Sequence, residues 1–545
     1  MRRARILWTV ALALFAGLAT YQLALPGLHY DEAFEALPAM QLLLGQPVAA
    51  FRGNGILAGE QLFPLMTQDY IGAVNTYAAI PFFLLLGANP IGLRAMSVAI
   101  GLFTLWLTFK LANALYGPPV ALLAGLLLAV NPTFVFWSRQ GVFVTSATAA
   151  IGLGATLAWL QWWRSGKLTY ALIGAFLLGL GLYTKLLFLW LVAALGLAVL
   201  LLNFQRWQTI RQRLDGRLIG CSALAFLAGS APLIVYNLQT GGTLLSLAVN
   251  LTTSYYGTNN LAFLPNLWER LKQLAAVLVG SHFWYLGVTH ANWLNLGVFV
   301  LALGVTLWLA ATSARESARR ALFPFVVISG VLLASCATVS ALWVTHFAIL
   351  APWPPLAVAA GADLFVRCGR ARLATRWASR GALILTMLIL GASWLADVAV
   401  DVGYHRSLAV SGGLGAHSDA VDDLSRWLSA EEHRGAPVAA MDWGIAASVA
   451  FLTWGEVTPI EAFGYDWETD ADFSARLEGF ISDPASIYLW RAPDEIIFDR
   501  SEDFQRLYRT RGLEEDILEA FYERSGRPVL GATRLVPEGT AVNPP

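Results

Sequence analysis

The sequence predicts an α-helical multi-pass membrane protein that carries a soluble α/β domain at its C-terminal end. Of its 545 residues, 57% are hydrophobic and only 13% are charged, and the mean hydropathy of +0.58 lies well outside the range of soluble domains. Residues 71–400 contain long apolar runs separated by short basic loops, whereas residues 401–545 have the composition of a soluble protein. We therefore expect a membrane domain over 1–400 and a soluble domain over 401–545.

The apolar runs have the length of membrane-spanning helices. A helix needs about 20 mostly apolar residues to cross a bilayer, and the predicted total is about 11 to 13 spans. The first run has no small-residue cleavage site after it, so we interpret it as an uncleaved span and not as a signal peptide. The eleven clearest stretches are 6–25, 92–112, 118–136, 144–163, 168–184, 186–203, 218–239, 293–312, 321–341, 344–366 and 380–400.

Arginine and lysine orient these spans. Basic residues accumulate in cytoplasmic loops, so consecutive basic loops must be separated by an even number of crossings. This rule holds only if a further apolar stretch, 71–88, is a membrane-embedded or juxtamembrane helix on the outer side. Residues 26–91 and 237–292 then form external loops, and the C-terminal domain is extracytoplasmic. The basic segments are 1–5, Lys110, 164–167, 206–217, 313–320 and 366–380.

Charge and cysteine content limit the partners of the protein. Its 36 basic residues are balanced by 36 acidic residues, and the basic residues of the membrane domain lie beside apolar spans, so nothing indicates a nucleic-acid partner. The expected partner is the membrane itself, and the expected location is the cell (plasma) membrane. Three cysteines lie in or beside apolar segments, so the C-terminal domain folds without disulfides. They are Cys221, Cys336 and Cys368.

Acidic residues follow the first span on the predicted outer side. Asp31 and Glu32 open an amphipathic helix, and Asp69 immediately precedes the stretch 71–88. Adjacent carboxylates at a membrane boundary are costly unless they are hydrated or used in chemistry. A carboxylate in this place is able to take a proton from an attacking hydroxyl group. Helix capping is the structural alternative for the same residues.

Three basic residues lie near helix ends on the predicted outer side, which normally lacks them: Arg94, Arg139 and Lys185. Guanidinium and ammonium groups hold phosphate through charge-assisted hydrogen bonds. We therefore predict that the three residues bind the phosphate or diphosphate of a lipid-linked donor. The structural alternative is that each side chain snorkels to the membrane interface.

Further polar and aromatic side chains on the same side are candidates for substrate binding. Aromatic rings stack against sugar rings, and a histidine at the interface is able to pair with a leaving phosphate. The predicted substrate-binding residues are Asp69, Tyr183, His282, Tyr285 and His346. No His/Cys cluster indicates a metal site, and the sequence identifies no cofactor with certainty. A divalent cation is nevertheless a candidate ligand of the carboxylates Asp31, Glu32 and Asp69.

Several segments occur in an order and at a spacing that together form a recognisable pattern. They are Asp31-Glu32 after the first span, ALPAMQLLLGQPV, FFLLLGANPIGLRAMSVAIGLFTLWLTFKLANALYG (82–117), NPTFVFWSRQGVFV (131–144), GLGLYTK (179–185) and THFAILAPWPPLAVAAG. The pattern resembles the protein O-mannosyltransferase and aminoarabinose-transferase families, which are glycosyltransferase family 39-like enzymes of the GT-C fold. The likeness is continuous over about 6–205 and weaker over 321–361.

The resemblance implies an inverting transfer of a sugar from a polyprenyl-phosphate donor to a hydroxyl group of a lipid, glycan or protein acceptor on the extracytoplasmic face. Asp31 matches the catalytic base of these families, Glu32 its partner, and Arg94 the arginine that opens the next span. At residues 68–70 this chain has Gln-Asp-Tyr where many relatives carry Lys-Pro-Pro. Two alternatives remain: a polyprenyl-lipid transporter or flippase, and a non-catalytic lipid-sugar-binding envelope protein.

The C-terminal domain alternates strand-like runs with amphipathic stretches, which predicts a small α/β domain. A helix is expected to follow the first strand through Leu452, and 501–526 is expected to be helical. Asp442 and Asp466 are candidates for ligand binding, with solvated loop acids as the alternative. The predicted strands are 436–444, 457–465, 486–493 and 528–537.

Overall fold

Each of the eleven predicted apolar spans forms a helix or a pair of helices. Within the described part of the chain, four helices are long and apolar enough to cross a membrane, or up to seven spans if each of three bent pairs counts as one. The predicted α-helical multi-pass membrane protein is therefore confirmed. The structure is a computed structural model and describes residues 2–48, 50–140, 144–203, 207–312, 316–372, 376–464 and 470–543.

Helices account for most of the described residues up to 411, and three 3-10 helices are among those described. The 3-10 helices are Phe51–Gly53, Trp284–Leu286 and Val344–Leu350. The α-helices are α1 (Arg2–Thr20), α2 (Tyr30–Leu44), α3 (Val74–Leu86), α4 (Pro90–Tyr116), α5 (Pro118–Ala129), α6 (Pro132–Arg139), α7 (Val144–Ser165), α8 (Leu168–Thr184), α9 (Phe188–Asn203), α10 (Trp207–Arg213), α11 (Gly216–Gly229), α12 (Ala231–Thr240), α13 (Gly242–Val249), α14 (Phe263–Val279), α15 (Trp293–Thr312), α16 (Glu316–Ala334), α17 (Trp353–Arg372) and α18 (Arg376–Ser411).

Three of the spans are sharply bent. The angle is 63° between α5 and α6, 64° between α11 and α12, and 48° between the 3-10 helix Val344–Leu350 and α17. Pro132, Pro232 and Pro354 lie in the first turn after each break, where a proline has no N–H group to continue the preceding helix. The bends bring polar side chains such as Arg139 and His346 into the interior of the bundle.

Residues 26–91, the predicted first external loop, fold into α2, two short hairpins and α3. β1 (Ile56–Ala58) pairs with β2 (Gln61–Phe63), and β3 (Met66–Gln68) pairs with β4 (Ile71–Gly72). The 13 residues of α3 give it a length of about 20 Å, less than the roughly 30 Å of a bilayer core. This length agrees with the prediction that 71–88 does not cross the membrane, while its side of the membrane stays a prediction.

Residues 237–292, the predicted second external loop, contain the amphipathic helix α14. Its buried face carries Arg270, Leu274 and Leu278, whereas Trp268 and Lys272 are exposed on the opposite face. These buried residues recur at a spacing of four along the helix, so they share one face. The helix therefore directs one arginine towards the interior of the protein.

The C-terminal domain is a five-stranded sheet with helices on both faces, and the predicted α/β class is confirmed. The strand order is β6-β5-β7-β9-β8, with β6, β5 and β7 parallel and the last two pairings antiparallel. α19 and α20 pack on one face, and α21 and α22 on the other. The elements are α19 (Ala420–Leu428), β5 (Val438–Ala440), α20 (Ala446–Leu452), β6 (Ile460–Glu461), α21 (Asp470–Ser482), β7 (Ile487–Arg491), α22 (Ser501–Arg509), β8 (Leu513–Tyr522) and β9 (Pro528–Pro537).

The prediction that 501–526 is helical throughout is wrong for its second half. Only α22 is helical, and β8 forms a long antiparallel hairpin with β9 in which Ile517 pairs with Thr533. Strand pairing with β9 overrides the helix propensity of the glutamates and leucines in this segment. Gly512, at a φ of +67°, separates the helix from the strand.

The C-terminal domain rests on the helix that carries the predicted catalytic residues. Ala447 and Phe451 of α20 pack against the apolar face of α2, which includes Ala36 and Met40. The hydroxyl of Tyr30 also donates a hydrogen bond to Glu461 at 2.8 Å. The last membrane helix, α18, continues to Ser411, beyond the predicted domain boundary at residue 400.

Candidate active site

Asp31 lies in the first turn of α2 and is accessible. The imidazole of His29 caps this helix, because its Nδ1 accepts a hydrogen bond from the N–H of Asp31 at 3.2 Å. A helix N-terminus favours a carboxylate, and 45% of the Asp31 side chain is exposed. Asp31 therefore has the accessibility that a proton acceptor requires.

Glu32, the next residue, is fully buried and paired with Arg94. Nε and Nη2 of Arg94 lie 2.9 Å from the two carboxylate oxygens of Glu32. The remaining guanidinium N–H groups donate to backbone carbonyls of the α1–α2 connection, including Ala24 at 2.9 Å and Pro26 at 2.8 Å. All five N–H groups of Arg94 thus have acceptors, and the structure does not bring Arg94 to an open site for a phosphate.

Arg139 contacts the same connection from the end of α6. Its Nη2 donates to the carbonyl oxygens of Tyr21 and Gln22 at 2.6 and 2.5 Å, and its Nη1 lies 3.4 Å from Nδ1 of His405. The side chain is completely buried. Arg94 and Arg139 therefore hold the chain between α1 and α2, which fixes the start of the helix that carries Asp31.

Glu35, one turn after Asp31, is a buried carboxyl group that the sequence reasoning did not single out. Its Oε2 accepts a hydrogen bond from Nδ2 of Asn75 at 2.5 Å, and Thr76 donates to its backbone carbonyl at 2.7 Å. Burial raises the pKa of Glu35 to about 8, and the charge of Lys185 partly opposes that rise. Its spacing of four from Asp31 could have shown that both acids share one face of α2.

Lys185 lies at the break between α8 and α9, against the first external loop. It forms an antiparallel bridge with Ile71, and the N–H of Leu186 donates to the carbonyl of Tyr70 at 2.9 Å. At Gly72, a Cβ atom would lie 2.4 Å from the carbonyl oxygen of Tyr183, so this close approach requires glycine. The contacts bring Lys185 within electrostatic range of Asp31 and Glu35.

A cavity of about 160 Å³ opens beside Lys185. It is lined by Tyr70 and Trp190, by Leu247 of α13 and by the segment 337–340. His346 lines the cavity and is 5% exposed. Its Nε2 lies 3.4 Å from Oγ of Ser340, while its Nδ1 has no hydrogen-bond partner among the described residues.

Arg270 packs against Trp190, a residue that lines this cavity, and was missed from the sequence. Its guanidinium lies 5.5 Å from the ring centre of Trp190 and 5.1 Å from that of Phe347. It donates to the carbonyls of Ser335 and Trp343, but Nη2 has no partner in the described part of the chain. Burial lowers the pKa of Arg270 to about 10. The signal for it was an arginine on the apolar face of an amphipathic helix.

Asp69 is held away from Asp31 by other partners. Nε and Nη2 of Arg52 donate to its two oxygens at 2.9 and 2.8 Å, and Tyr236 donates to Oδ1 at 2.5 Å. Thr243 also donates to the backbone carbonyl of Asp69 at 2.6 Å. These contacts tie the first external loop to α12 and α13.

The aromatic candidates are used in packing between segments. The hydroxyl of Tyr183 donates to the carbonyl of Leu65 at 3.0 Å. His282 packs against Trp137, with ring centres 4.8 Å apart. Tyr285 donates to Gln140 at 2.6 Å. Of the predicted substrate-binding residues, His346 is the one that lines the cavity beside Lys185.

The carboxylates proposed for a divalent cation do not converge. Glu32 is bound to Arg94 and Asp69 to Arg52, at positions where each carboxylate is already neutralised. Within the described ranges, no group of three or more His, Cys, Asp or Glu residues is arranged to hold a metal ion. The carboxylate of Asp442 accepts hydrogen bonds from the N–H groups of Ile497 and Phe498 and so has a structural role. Asp466 lies outside the described residues.

Comparison with known proteins agrees with this architecture. Residues 74–236 match the family model described as dolichyl-phosphate-mannose-protein mannosyltransferase. No curated protein sequence matches the chain. The matched segment runs from α3 to α12 and includes Arg94, Arg139 and Lys185.

Solved structures match nearly the whole chain. ArnT from Cupriavidus metallidurans bound to undecaprenyl phosphate is 11% identical, with a TM-score of 0.61 over 97% of each chain. The apo oligosaccharyltransferase from Archaeoglobus fulgidus is 10% identical, with a TM-score of 0.52 over 90% of this chain and 69% of that one. AglB from the same organism, with an inhibitory peptide and a dolichol-phosphate, is 11% identical and covers 89% and 69%, at a TM-score of 0.52. The predicted resemblance is confirmed, and the chain has the GT-C fold that it shares with ArnT and the archaeal oligosaccharyltransferase.

Proposed function

We propose that the protein is a membrane glycosyltransferase that moves a sugar from a polyprenyl-phosphate donor to a hydroxyl group on the extracytoplasmic face. The observation that carries the proposal is the placement of an accessible carboxylate, Asp31, within electrostatic range of Lys185, which lines a cavity at a helix break. ArnT, which shares the fold, was crystallised with undecaprenyl phosphate. Its ligand belongs to the class of lipid that we propose for this chain.

The cations near the cavity suit a phosphate. Lys185 lines it, and the guanidinium of Arg270 lies over the ring of Trp190, which also lines it. Nη2 of Arg270 has no partner among the residues that the structure describes. His346 also lines the cavity, and its Nδ1 has no hydrogen-bond partner among the described residues. Charge-assisted hydrogen bonds from such groups hold a phosphate oxygen strongly where water is excluded. We therefore assign donor-phosphate binding to Lys185 and Arg270, and a structural role to Arg94 and Arg139.

The proposed reaction is a single displacement with Asp31 as general base. Asp31 takes the proton of the acceptor hydroxyl as the acceptor oxygen attacks the anomeric carbon. The bond between that carbon and the phosphate oxygen breaks, and the polyprenyl phosphate leaves with the bonding electrons. Lys185 and Arg270 stabilise the charge that develops on the phosphate. Attack from the face opposite the leaving group inverts the anomeric configuration.

Turnover of labelled donor tests the proposal. The purified protein, reconstituted in a bilayer, is incubated with polyprenyl-phosphate sugars, and release of polyprenyl phosphate is measured. Asp31→Asn should abolish release while leaving donor binding intact, because only proton abstraction is lost. Glu60→Gln, an exposed acid of the same loop, is the matched control. Undiminished turnover in Asp31→Asn would exclude Asp31 as the base, and donor binding without any turnover in the wild type would favour a non-catalytic binder.

A further inference from the structure

Three rings from three different segments stack beside Asp31. The imidazole of His417 lies between the imidazole of His29 and the phenol ring of Tyr285. Its ring centre is 4.2 Å from that of His29 and 3.9 Å from that of Tyr285, and the interplanar angle is 17° in both pairs. His29 precedes α2, Tyr285 belongs to the second external loop, and His417 ends the short 3-10 helix Gly415–His417 after α18. The stack joins the membrane domain to the C-terminal domain.

The first ring of the stack holds the start of α2. Nδ1 of His29 accepts the N–H of Asp31 at 3.2 Å and lies 3.8 Å from Oδ2 of the same residue. Because Nδ1 is the acceptor, the ring proton sits on Nε2. Helix N-caps are usually the shorter side chains of Ser, Thr, Asp or Asn. An imidazole in this place therefore reaches both the cap and the rings behind it.

The middle ring is held by the C-terminal domain. The N–H of Gly415 donates to Oε1 of Glu523 at 2.8 Å, and the N–H of Leu414 donates to the carbonyl of Tyr285 at the same distance. Glu523 lies in the turn between β8 and β9 and is paired with Arg527. The sheet of the C-terminal domain thus fixes the position of His417.

We propose that His417 and His29 are positioning residues through which the C-terminal domain fixes the carboxylate of Asp31. The inference rests on the proposed function, because it assigns significance to the position of the base. If His417 loses its ring, His29 has no neighbour on that side and the cap of α2 loosens. A displacement of about 1 Å at a reacting group costs up to about 100-fold in rate. Donor affinity should not change, because Lys185 and Arg270 lie on other elements.

Hydrogen exchange measured by mass spectrometry tests the inference without a substrate. In the reconstituted full-length protein, His417→Ala should speed exchange of the amides at 30–36, and His417→Phe, which keeps a flat ring, should restore most of the protection. His433→Ala is the matched control, because His433 stacks on Trp427 within the same domain, 3.7 Å between ring centres. It should leave exchange at 30–36 unchanged. Equal protection in His417→Ala and the wild type would overturn the inference.

Kinetics with undecaprenyl-phosphate sugar provide the second measurement. His417→Ala should lower kcat between about 10-fold and 100-fold with KM for the donor within about twofold of the wild type, and His417→Phe should recover most of the rate. A kcat as low in His417→Phe as in His417→Ala would also overturn the inference. Absence of turnover in the wild type would refute the proposed function itself, and full activity in Asp31→Asn would exclude Asp31 as the base. Inactive Asp31→Asn together with fully active His417→Ala would refute the positioning role alone.

Discussion

Arg94 and Glu32 form a two-point ion pair in which neither side chain has any exposed surface. The pair joins α4 to α2, and the other N–H groups of Arg94 bind the connection between α1 and α2. One guanidinium therefore fixes the path of the chain immediately before Asp31. We therefore expect Arg94 to matter for activity through this placement, without contact to a substrate.

Loss of one partner of this pair should destabilise the fold. Arg94→Ala leaves the buried charge of Glu32 without compensation, which costs about 3 to 5 kcal/mol. The double variant Glu32→Leu, Arg94→Met should be more stable than either single variant, because no charge remains buried. Thermal unfolding in detergent measures the stability of each of these variants. If Arg94→Ala unfolds like the wild type but no longer binds undecaprenyl phosphate, the phosphate role predicted from the sequence is correct after all.

Removal of the cations at the cavity should weaken donor binding. Lys185→Met and Arg270→Met should each lower the affinity for undecaprenyl phosphate between about 10-fold and 100-fold, because a hydrogen bond to a charged group contributes about 1.5 to 3 kcal/mol. The matched control is Lys272→Met, on the exposed side of the same helix as Arg270. Equilibrium binding is the measurement. Equal losses in all three variants would reduce the effect to general surface charge.

Glu35 should make stability fall as pH rises. Its pKa of about 8 in the folded protein lies above its ordinary value of 4.5, so the folded state binds a proton that the unfolded chain has released. This contribution is complete below about pH 4.5 and is lost as pH rises through about 8. Relative to Glu35→Gln, the wild type should lose more than about 1.4 kcal/mol in its free energy of unfolding between about pH 5 and pH 8.

Denaturant titrations at several pH values measure this difference. Glu60→Gln, whose side chain is exposed, should follow the wild type at every pH. A constant difference between the wild type and Glu35→Gln across the range would show that Glu35 does not titrate there.

The ring stack should weaken in acid. Burial lowers the pKa of His29 and of His417 below the usual value of 6.5, so the separated rings bind protons more readily than the stacked ones. Protection of residues 412–419 from hydrogen exchange should therefore fall as pH decreases below about 6.5. His417→Phe should flatten this dependence, and an unchanged pH profile in that variant would contradict it. The charged groups acting on His29 are Asp31, Glu32, Arg94 and Arg491.

The sequence was sufficient to predict the helices that local patterns of apolar residues determine. Apolar runs of span length located all eleven segments. The parity of basic loops separates the stretch 71–88 from them, and its place relative to the membrane stays a prediction. The prediction for β8 was wrong, because its glutamates favour a helix locally and the strand forms only through pairing with β9.

The candidate site could be predicted only as residue types near one surface. Arg94 and Arg139 have the same sequence signature as Lys185, a cation near a helix end, yet their donors are used by backbone carbonyls that come from the distant α1–α2 connection. The guanidinium of Arg270 reaches Trp190 at the cavity only because α14 packs against α9 and the segment 335–347. Such partners depend on tertiary contacts that spacing along the chain does not encode.

The helix α18 has a mechanical consequence. Its 36 residues give a length of about 54 Å, well beyond the roughly 30 Å of hydrocarbon that it must cross. A continuous helix of this kind tilts as one rod when bilayer thickness changes, and its end leads within a few residues to the loop of His417. Turnover by the reconstituted protein should therefore vary with lipid acyl-chain length.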